Sequence, residues 1–268
     1  MKRIAEICCG SYYDAKQAAL GGAERIELNS ALMLGGLTPT ETTLRMIKEE
    51  LALKVVAMVR PRGAGFCYSE EEFRVMEEEC RGLLECGADG IAFGCLTEDA
   101  SPDERKNRRL LELIKGRGKE AVFHRAFDCS SDACLAMERL IDWGVDRVLT
   151  SGLKPKATEG REMIRRLQAD YGTEIEILAG SGVNAGNALE LMEYTKISQI
   201  HSSCKSWVLD PTTVRNGVSY SIASGGQALC YDAVSKELVR ELIEKTDLEE
   251  ETVDEVLRIL KSEFEDNE

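Results

Sequence analysis

Short apolar runs rich in β-branched residues recur along most of this chain, and helical segments separate them. Eight such runs begin near Ile4, Ile26, Val55, Ile91, Val122, Val148, Ile175 and Gln199. Their mean spacing is about 28 residues, close to the length of one strand-helix unit. Parallel strands joined by crossover helices produce this pattern, so the sequence predicts an α/β protein with the architecture of a (β/α)8 TIM-type barrel.

A partial internal repeat supports the barrel. Residues 22–26, 87–91 and 144–148 each begin with glycine and join an amphipathic segment to the next strand. Glycine closes the last turn of a helix because it adopts the left-handed conformation at no steric cost. No Gly-x-Gly-x-x-Gly fingerprint follows the first strand, so a closed barrel is favoured over an open dinucleotide-binding sheet, and we expect no nucleotide cofactor.

The charge of the chain is concentrated near its end. Residues 236–268 contain 13 acidic and 5 basic residues, a net −8 of the −14 carried by all 268 residues. Val253, Val256, Leu257, Leu260 and Phe264 recur there at helical spacing. We predict a barrel over 1–235 and an acidic helical extension over 236–268, which either packs by its apolar stripe or binds a partner. The negative surface disfavours a nucleic-acid partner.

The apolar runs and the cysteines of the chain indicate whether the protein enters a membrane and in which compartment it resides. The longest apolar stretches fall short of the ~18 residues that a spanning helix needs, and Met1 to Arg3 lead straight into Ile4 with no signal-peptide core. The chain has 10 cysteines but no Cys-x-x-Cys pair. We therefore expect no membrane association and a cytoplasmic protein with reduced thiols.

Polar side chains are predicted at the carboxyl ends of the strands, where barrel enzymes place their chemistry. Both histidines of the chain, His124 and His201, fall there, and histidine suits proton transfer near neutral pH. Glu6 and Glu27 lie in otherwise apolar strands and need partners there. We predict a catalytic set of Glu6, Glu27, His124, Asp128 and His201. Structural histidines and ion pairs that close the barrel mouth remain the alternative.

The same rim is predicted to bind a small anionic or hydroxylated molecule. Arg60 and Arg62 are two residues apart, so an extended strand would point both the same way. Serine and glycine turns follow strands six to eight, where many barrels bind phosphate on backbone N–H groups. The predicted substrate-binding residues are Arg60, Arg62, Arg125, Ser151, Ser181 and Ser202.

Several stretches together resemble the CutC family, which is named for copper homeostasis. They are EICCGS at 6–11, ELNSAL at 27–32, GGLTP at 35–39, RPRGAGFCYS at 60–69, FHRAFD at 123–128, LTSG at 149–152, AGSGV at 179–183 and HSS at 201–203. The resemblance covers about residues 1–225. It implies a cytoplasmic (β/α)8 barrel that is often dimeric, so we expect a homodimer.

The resemblance also implies Cu(I) bound between a cysteine at the end of strand one and a second at the end of strand two. The first position matches Cys8, but the second is Asn29, and Cu(I) prefers thiolate or thioether ligands over an amide oxygen. Cys8 and Cys9 are therefore predicted as the metal ligands, with Cys67 as a possible further donor. The alternative is a pair of buried thiols.

Three functions follow from these observations. One is copper handling, with Cu(I) bound through the cysteines of strand one. Another is an acid-base enzyme acting on a sugar, sugar acid or sugar phosphate at the barrel rim. The last is a non-catalytic scaffold that works through the acidic tail.

Overall fold

A computed structural model describes residues 3–246 of the chain. Its first eight strands are parallel and close into a barrel, each hydrogen-bonded to its neighbours in sequence order and β8 to β1. The strands are β1 (Ile4–Cys9), β2 (Arg25–Leu28), β3 (Lys54–Met58), β4 (Gly90–Phe93), β5 (Glu120–Phe123), β6 (Arg147–Thr150), β7 (Glu176–Ala179) and β8 (Gln199–Ser202). The predicted (β/α)8 barrel is confirmed.

Helices follow the strands and cover the outside of the barrel. They are α1 (Tyr12–Leu20), α2 (Glu41–Glu50), α3 (Glu70–Glu85), α4 (Glu104–Lys115), α5 (Ala133–Trp143), α6 (Arg161–Tyr171), α7 (Ala188–Thr195) and α8 (Lys236–Thr246). Gly22, Gly87 and Gly144, the three repeat glycines, have φ values of +98°, +93° and +83°. The role predicted for them at helix ends is therefore confirmed. No helix within residues 3–246 is long and apolar enough to cross a bilayer.

The segment between β8 and α8 leaves the barrel and returns to it. It contains β9 (Lys205–Leu209), β10 (Val214–Arg215), β11 (Val218–Ser219) and β12 (Cys230–Val234). β9 pairs antiparallel with β12, and β10 pairs antiparallel with β11. This excursion borders the carboxyl end of the barrel, because Lys205, Trp207 and Asp232 line the pocket that opens there.

Helix α8 occupies the position of the eighth barrel helix and contacts α1, α7 and β1. Val239 and Leu242 of α8 are fully buried, and a Cβ on Gly21 of α1 would lie 2.6 Å from Val239. Residues 236–246 of the predicted extension therefore pack on the barrel as its eighth helix, and the boundary at residue 235 stays a prediction. The rest of the predicted extension, residues 247–268, lies outside the described residues.

Strand alternation divides the core into two parts. Side chains that face outward pack against the helices in one large cluster. A small inner cluster of Val56, Met58, Ala92 and Val122 fills the barrel at β3, β4 and β5. Successive side chains of a strand point to opposite faces, so every second residue faces the inside of the barrel. Arg60 lies two positions beyond Met58, and His124 lies two positions beyond Val122. Both therefore face inward like the cluster residues that precede them.

Candidate functional site

The carboxyl ends of the strands surround a pocket of about 570 Å³. A volume of this size suits a small metabolite. Cys8, Glu27, Arg60, His124, Arg125, Ser181, His201 and Ser202 are the predicted site residues that line it. The structure therefore brings together predicted residues from six of the eight strand ends or the turns that follow them.

Three different donor atoms converge on one side of this pocket. Cys8 on β1 is in register with Glu27 on β2, and His201 comes from β8, the other neighbour of β1. Glu27 Oε2 lies 3.9 Å from Cys8 Sγ and 3.8 Å from His201 Nε2. One donor atom from each residue lies within 4.8 Å of the other two. We call these three residues the Cys-Glu-His cluster.

Glu6 lies beneath the cluster and does not line the pocket. Its side chain is 1% exposed, and it holds His201 through a contact of 3.1 Å between Oε1 and Nδ1. Arg25 Nε lies 2.6 Å from the other carboxylate oxygen. Burial alone would raise the pKa of Glu6, but the His201 hydrogen bond and the Arg25 charge outweigh it and lower the pKa to about 2. Glu6 therefore orients His201 from below.

The charges around His201 affect its protonation. Burial opposes a charged imidazole, but Glu27, Cys8 and Glu6 together raise the pKa of His201 well above its usual value. Glu27 itself has a raised pKa, chiefly because it is buried. The Glu6 contact at Nδ1 leaves Nε2 directed toward Glu27, which is the carboxylate-histidine arrangement that supports metal ligands in many proteins.

Asn29, which stands where the resemblance implies a second cysteine, contacts two members of the cluster. Its Nδ2 donates a hydrogen bond of 2.9 Å to Glu27 Oε2 and lies 3.6 Å from Cys8 Sγ. An amide N–H is a donor and offers no metal-binding lone pair. Asn29 therefore positions the carboxylate of Glu27 rather than serving as a second copper ligand.

Cys9 faces away from the pocket. It is 0% exposed and belongs to the outer core between the barrel and its helices. Burial raises the pKa of its thiol well above the usual value. Because Cys8 and Cys9 are successive residues of one strand, they point to opposite faces and do not converge on one ion. The pocket lining includes neither Cys9 nor Cys67.

The two arginines that follow β3 have different surroundings. Arg60 is buried and donates hydrogen bonds to the carbonyl oxygens of Leu34 and Gly36, each 2.9 Å long. Arg62 pairs with Glu72 and does not line the pocket. Arg60 therefore lines the pocket, whereas Arg62, further along the loop after β3, is held by Glu72 outside the pocket lining.

Asp128 and Ser151 hold a loop and do not line the pocket. Asp128 accepts hydrogen bonds from Thr150 Oγ1 at 2.6 Å and from Ser151 N at 3.0 Å, and it pairs with Arg125 at 2.8 Å. Arg125 also donates to Ser151 Oγ at 2.8 Å. These contacts fix Arg125, which does line the pocket. Asp128 thus positions Arg125 and lies outside the pocket lining itself.

The two remaining serines use their hydroxyl groups within the protein. Ser181 Oγ donates to Pro155 O at 2.7 Å, and Ser202 Oγ donates to Val183 O at 2.6 Å. Ser181 has a φ of +79°, which is unusual for a residue other than glycine. Both serines border the pocket, so their hydrogen bonds shape its rim.

His124 lies on the other side of the pocket, at the end of β5. Its side chain caps the short 3₁₀ turn over Arg125–Cys129, where Nδ1 accepts a hydrogen bond of 3.2 Å from Ala126 N. The Phe66 ring lies 5.0 Å from the imidazole, centroid to centroid. Burial, assisted by the charge of Arg60, lowers the pKa of His124 to about 3. His124 is therefore neutral at pH 7.

Sequence reasoning missed several lining residues. Phe66 lies in the RPRGAGFCYS stretch, but only its arginines had an evident chemical role. Lys205, Trp207 and Asp232 lie in the excursion after β8. The expectation that functional residues follow the barrel strands does not predict these three residues, because no periodic pattern indicates that residues 205–234 fold back over the rim.

The Cys-Glu-His cluster has the composition and spacing of a metal site. From the usual Zn–S, Zn–N and Zn–O bond lengths, a tetrahedral ion requires ligand-to-ligand separations of about 3.4–3.6 Å. The 3.9 and 3.8 Å separations here exceed that by a few tenths of an ångström. A mixed sulfur, oxygen and nitrogen set suits Zn²⁺ or a similar divalent ion, whereas Cu(I) prefers soft ligands throughout.

Comparison with known proteins identifies relatives over most of the chain. The sequence profile described as the CutC family matches residues 3–206. A CutC family protein of Treponema denticola is 43% identical over 221 residues, which cover 82% of this chain and 89% of the relative. The human protein described as a copper homeostasis protein cutC homolog is 37% identical over 227 residues, which cover 85% and 81%.

A solved structure shares the fold. The crystal structure of the copper homeostasis protein CutC from Streptococcus agalactiae superposes with a TM-score of 0.71 at 29% identity. The match covers 75% of this chain and 98% of that one.

Proposed function

The chain belongs to the CutC family, and from that premise we propose that it binds a divalent transition-metal ion at Cys8, Glu27 and His201. The observation that carries this proposal is the convergence of three different donor atoms within 4.8 Å at the wall of the pocket. The three residues come from β8, β1 and β2, which are adjacent strands of a rigid sheet. Such a scaffold holds ligands more accurately than loops do.

The residues around the cluster support the same assignment. Glu6 contacts Nδ1 of His201, so the histidine presents Nε2 as the ligand atom and its ring cannot turn. Asn29 fixes the Glu27 carboxylate from the other side. Three protein ligands leave a coordination position open, and the cluster lines a pocket rather than a closed core. An ion bound there would supply positive charge to an oxygen atom of a small ligand.

The open position and the size of the pocket favour an enzyme as the second part of the proposal. An ion that is only stored or passed on needs no cavity of about 570 Å³. Arg125 and His124 line the same cavity, and they suit a small anionic or hydroxylated substrate. Since the Cys8 sulfur must stay reduced to bind a metal ion as a thiolate, we place the protein in the reducing cytoplasm.

Cu(I) binding is the other candidate, and the family's association with copper homeostasis favours it. Among the described residues, the pocket lining offers it one thiol, Cys8, and the thioethers of Met33 and Met58, because Cys9 is buried on the opposite face of β1. Cu(I) would then rely on His201 or a thioether as its second ligand. We therefore expect weaker retention of Cu(I) than a pair of thiolates provides.

Anaerobic titration of the purified chain with Zn²⁺, Co²⁺ and Cu(I) against competing chelators tests this proposal. We expect one equivalent of Zn²⁺ to bind, and Co²⁺ to give a thiolate charge-transfer band. Cys8→Ser, Glu27→Gln and His201→Gln should each weaken Zn²⁺ binding by about 10-fold or more. Cys67→Ser, an exposed thiol away from the pocket lining, is the matched control.

The outcomes separate the candidates. Zn²⁺ binding that is unchanged in Cys8→Ser would refute the Cys-Glu-His centre. Tight Cu(I) binding that survives His201→Gln but is lost in the double variant Cys8→Ser with Cys9→Ser would establish the two-cysteine copper site instead. Metal-dependent turnover of a sugar acid or sugar phosphate would establish the enzyme.

A further inference from the structure

His124 faces the Cys-Glu-His cluster across the barrel. In a closed barrel ordered from β1 to β8, β5 is the strand furthest from β1 around the ring. His124 follows β5 and continues its inward-facing set, as argued above from Val122. Both His124 and the cluster line the same pocket. A ligand that spans the pocket therefore meets the cluster on one wall and His124 on the other.

The hydrogen bonding of His124 determines which nitrogen carries its proton. Nδ1 accepts from the backbone N–H of Ala126, so it holds a lone pair. A neutral imidazole with this acceptor has its proton on Nε2. Nε2 is buried and has no hydrogen-bond partner within residues 3–246. His124, 2% exposed, thus presents an N–H group without a protein acceptor.

A buried N–H without an acceptor is costly, so an acceptor from a ligand or a water is expected. Neutral N–H groups donate to carbonyl or carboxylate oxygens. Positive charges on the same side favour an anion, since Arg60 and Arg125 also line the pocket. Phe66, half-buried on the loop after β3, covers the imidazole, so its ring must turn aside when a ligand reaches Nε2.

We propose that this pocket binds a small hydroxy acid, with its hydroxyl end at the Cys-Glu-His cluster and its carboxylate accepting a hydrogen bond from His124 Nε2–H. This proposal rests on the ligand pocket of the proposed function and adds the class of ligand and its orientation. His124 acts in it as a fixed neutral donor. A fixed donor binds an oxygen acceptor without a change of protonation.

Histidine NMR tests the proposal directly, because the chain has only 2 histidines. In protein labelled with ¹⁵N-histidine and loaded with Zn²⁺, we expect His124 to show a protonated Nε2 and an unprotonated Nδ1 from pH 5 to 9. Glycolate, L-tartrate and D-gluconate are the probes. The longer two should shift the Nε2–H resonance, and glycolate, which cannot span the pocket, should shift it least.

Two variants of His124 separate ligand binding from structural support. Asn places its side-chain oxygen where Nδ1 accepts from Ala126 but has no donor at the Nε2 position, whereas Gln places an N–H near that position. We expect His124→Asn to weaken binding of the responding probe by about tenfold. His124→Gln should retain most of that affinity. The Zn²⁺ stoichiometry of both variants should equal that of the parent.

The results distinguish failure of this proposal from failure of the metal site. A His124 that titrates near pH 6.5, an Nδ1–H tautomer, or a resonance that none of the three probes shifts would overturn the proposal while leaving Zn²⁺ binding intact. Equal affinity of the parent and His124→Asn would also overturn it. Loss of Zn²⁺ binding with a retained Nε2–H response would refute the metal centre and keep the role of His124.

Discussion

At the scale of single residues, position along the strand decides which of the buried carboxylates lines the pocket. Glu6 and Glu27 read alike in the sequence, as carboxylates in apolar strands. In the structure Glu6 is paired with Arg25 below the pocket, whereas Glu27 lines the pocket itself. Glu27 pairs with Cys8, so it lies two residues beyond Glu6 along the barrel axis. Because of this difference in position, Glu6 orients His201 from below, whereas Glu27 remains available to a ligand.

Glu6→Gln tests the supporting role. The change leaves the buried guanidinium of Arg25 without its charged partner, and breaking a buried pair costs about 3–5 kcal/mol of unfolding free energy. Urea denaturation at pH 7 measures it. The control is Glu162→Gln, which removes a surface pair with Arg165 and should change stability by less than about 1 kcal/mol. Equal effects of the two variants would contradict this account of Glu6.

His124 makes the stability of the protein depend on pH. Its pKa is about 3 in the folded protein, against an unperturbed 6.5, so the unfolded chain binds the proton more readily between these values. The contribution of neutral His124 to the free energy of unfolding is present above pH 6.5 and is lost as the pH falls toward 3. Between pH 7 and pH 5 the parent should lose about 2 kcal/mol more unfolding free energy than His124→Gln.

Urea denaturation of the parent and His124→Gln at both pH values measures this difference. His201 and Glu6 also titrate, but both are present in the two proteins, so their contributions cancel in the comparison. Parallel pH profiles for the two proteins would show that His124 is protonated as easily in the folded state as in the unfolded one.

At the scale of secondary-structure elements, helix α8 shows how tertiary packing redefines a segment. The sequence assigned residues 236–246 to the acidic extension, although this stretch itself carries three acidic and three basic residues. By packing, they form the helix that lies between α7 and α1. A charged outer face and an apolar inner face are compatible, because a barrel helix exposes one side to water.

Leu242→Ala tests whether α8 is part of the barrel. Leu242 is 0% exposed, and truncating a buried leucine costs about 2–5 kcal/mol. Leu238→Ala on the same helix is the matched control, because Leu238 is 38% exposed and its truncation should cost less than about 1 kcal/mol. Thermal or urea unfolding of both variants gives the comparison. A neutral Leu242→Ala would place α8 outside the cooperative unit.

At the scale of the whole molecule, the chain carries large apolar side chains on the excursion after β8. Leu209, Val218 and Tyr220 are 64%, 56% and 81% exposed in the single chain. Exposed apolar groups of this kind are commonly covered by association. We therefore predict a homodimer, with sedimentation velocity giving about twice the 29.7 kDa of the chain. A single species at the monomer mass across a wide range of protein concentration would contradict it.

The barrel and its reactive rim could be predicted from the sequence because both depend on local rules. Strand periodicity, the glycines at helix ends and the placement of polar residues after strands require no knowledge of distant contacts. These rules located Cys8, Glu27, His124 and His201 at one rim, and the pocket there contains all four. These rules could not predict how deep each side chain lies along the barrel axis, because that depth depends on where each strand ends and on its register with neighbouring strands.

The sequence by itself therefore determined the architecture, the family and the end of the barrel at which polar groups gather. Only the tertiary structure decided that Cys9 is core, that Arg62 pairs with Glu72 outside the pocket and that Asp128 holds a loop. The physical reason is that periodicity gives the face on which a side chain lies, whereas its partners come from other strands. Cys8, Glu27 and His201 meet because closing the barrel makes β8 a neighbour of β1.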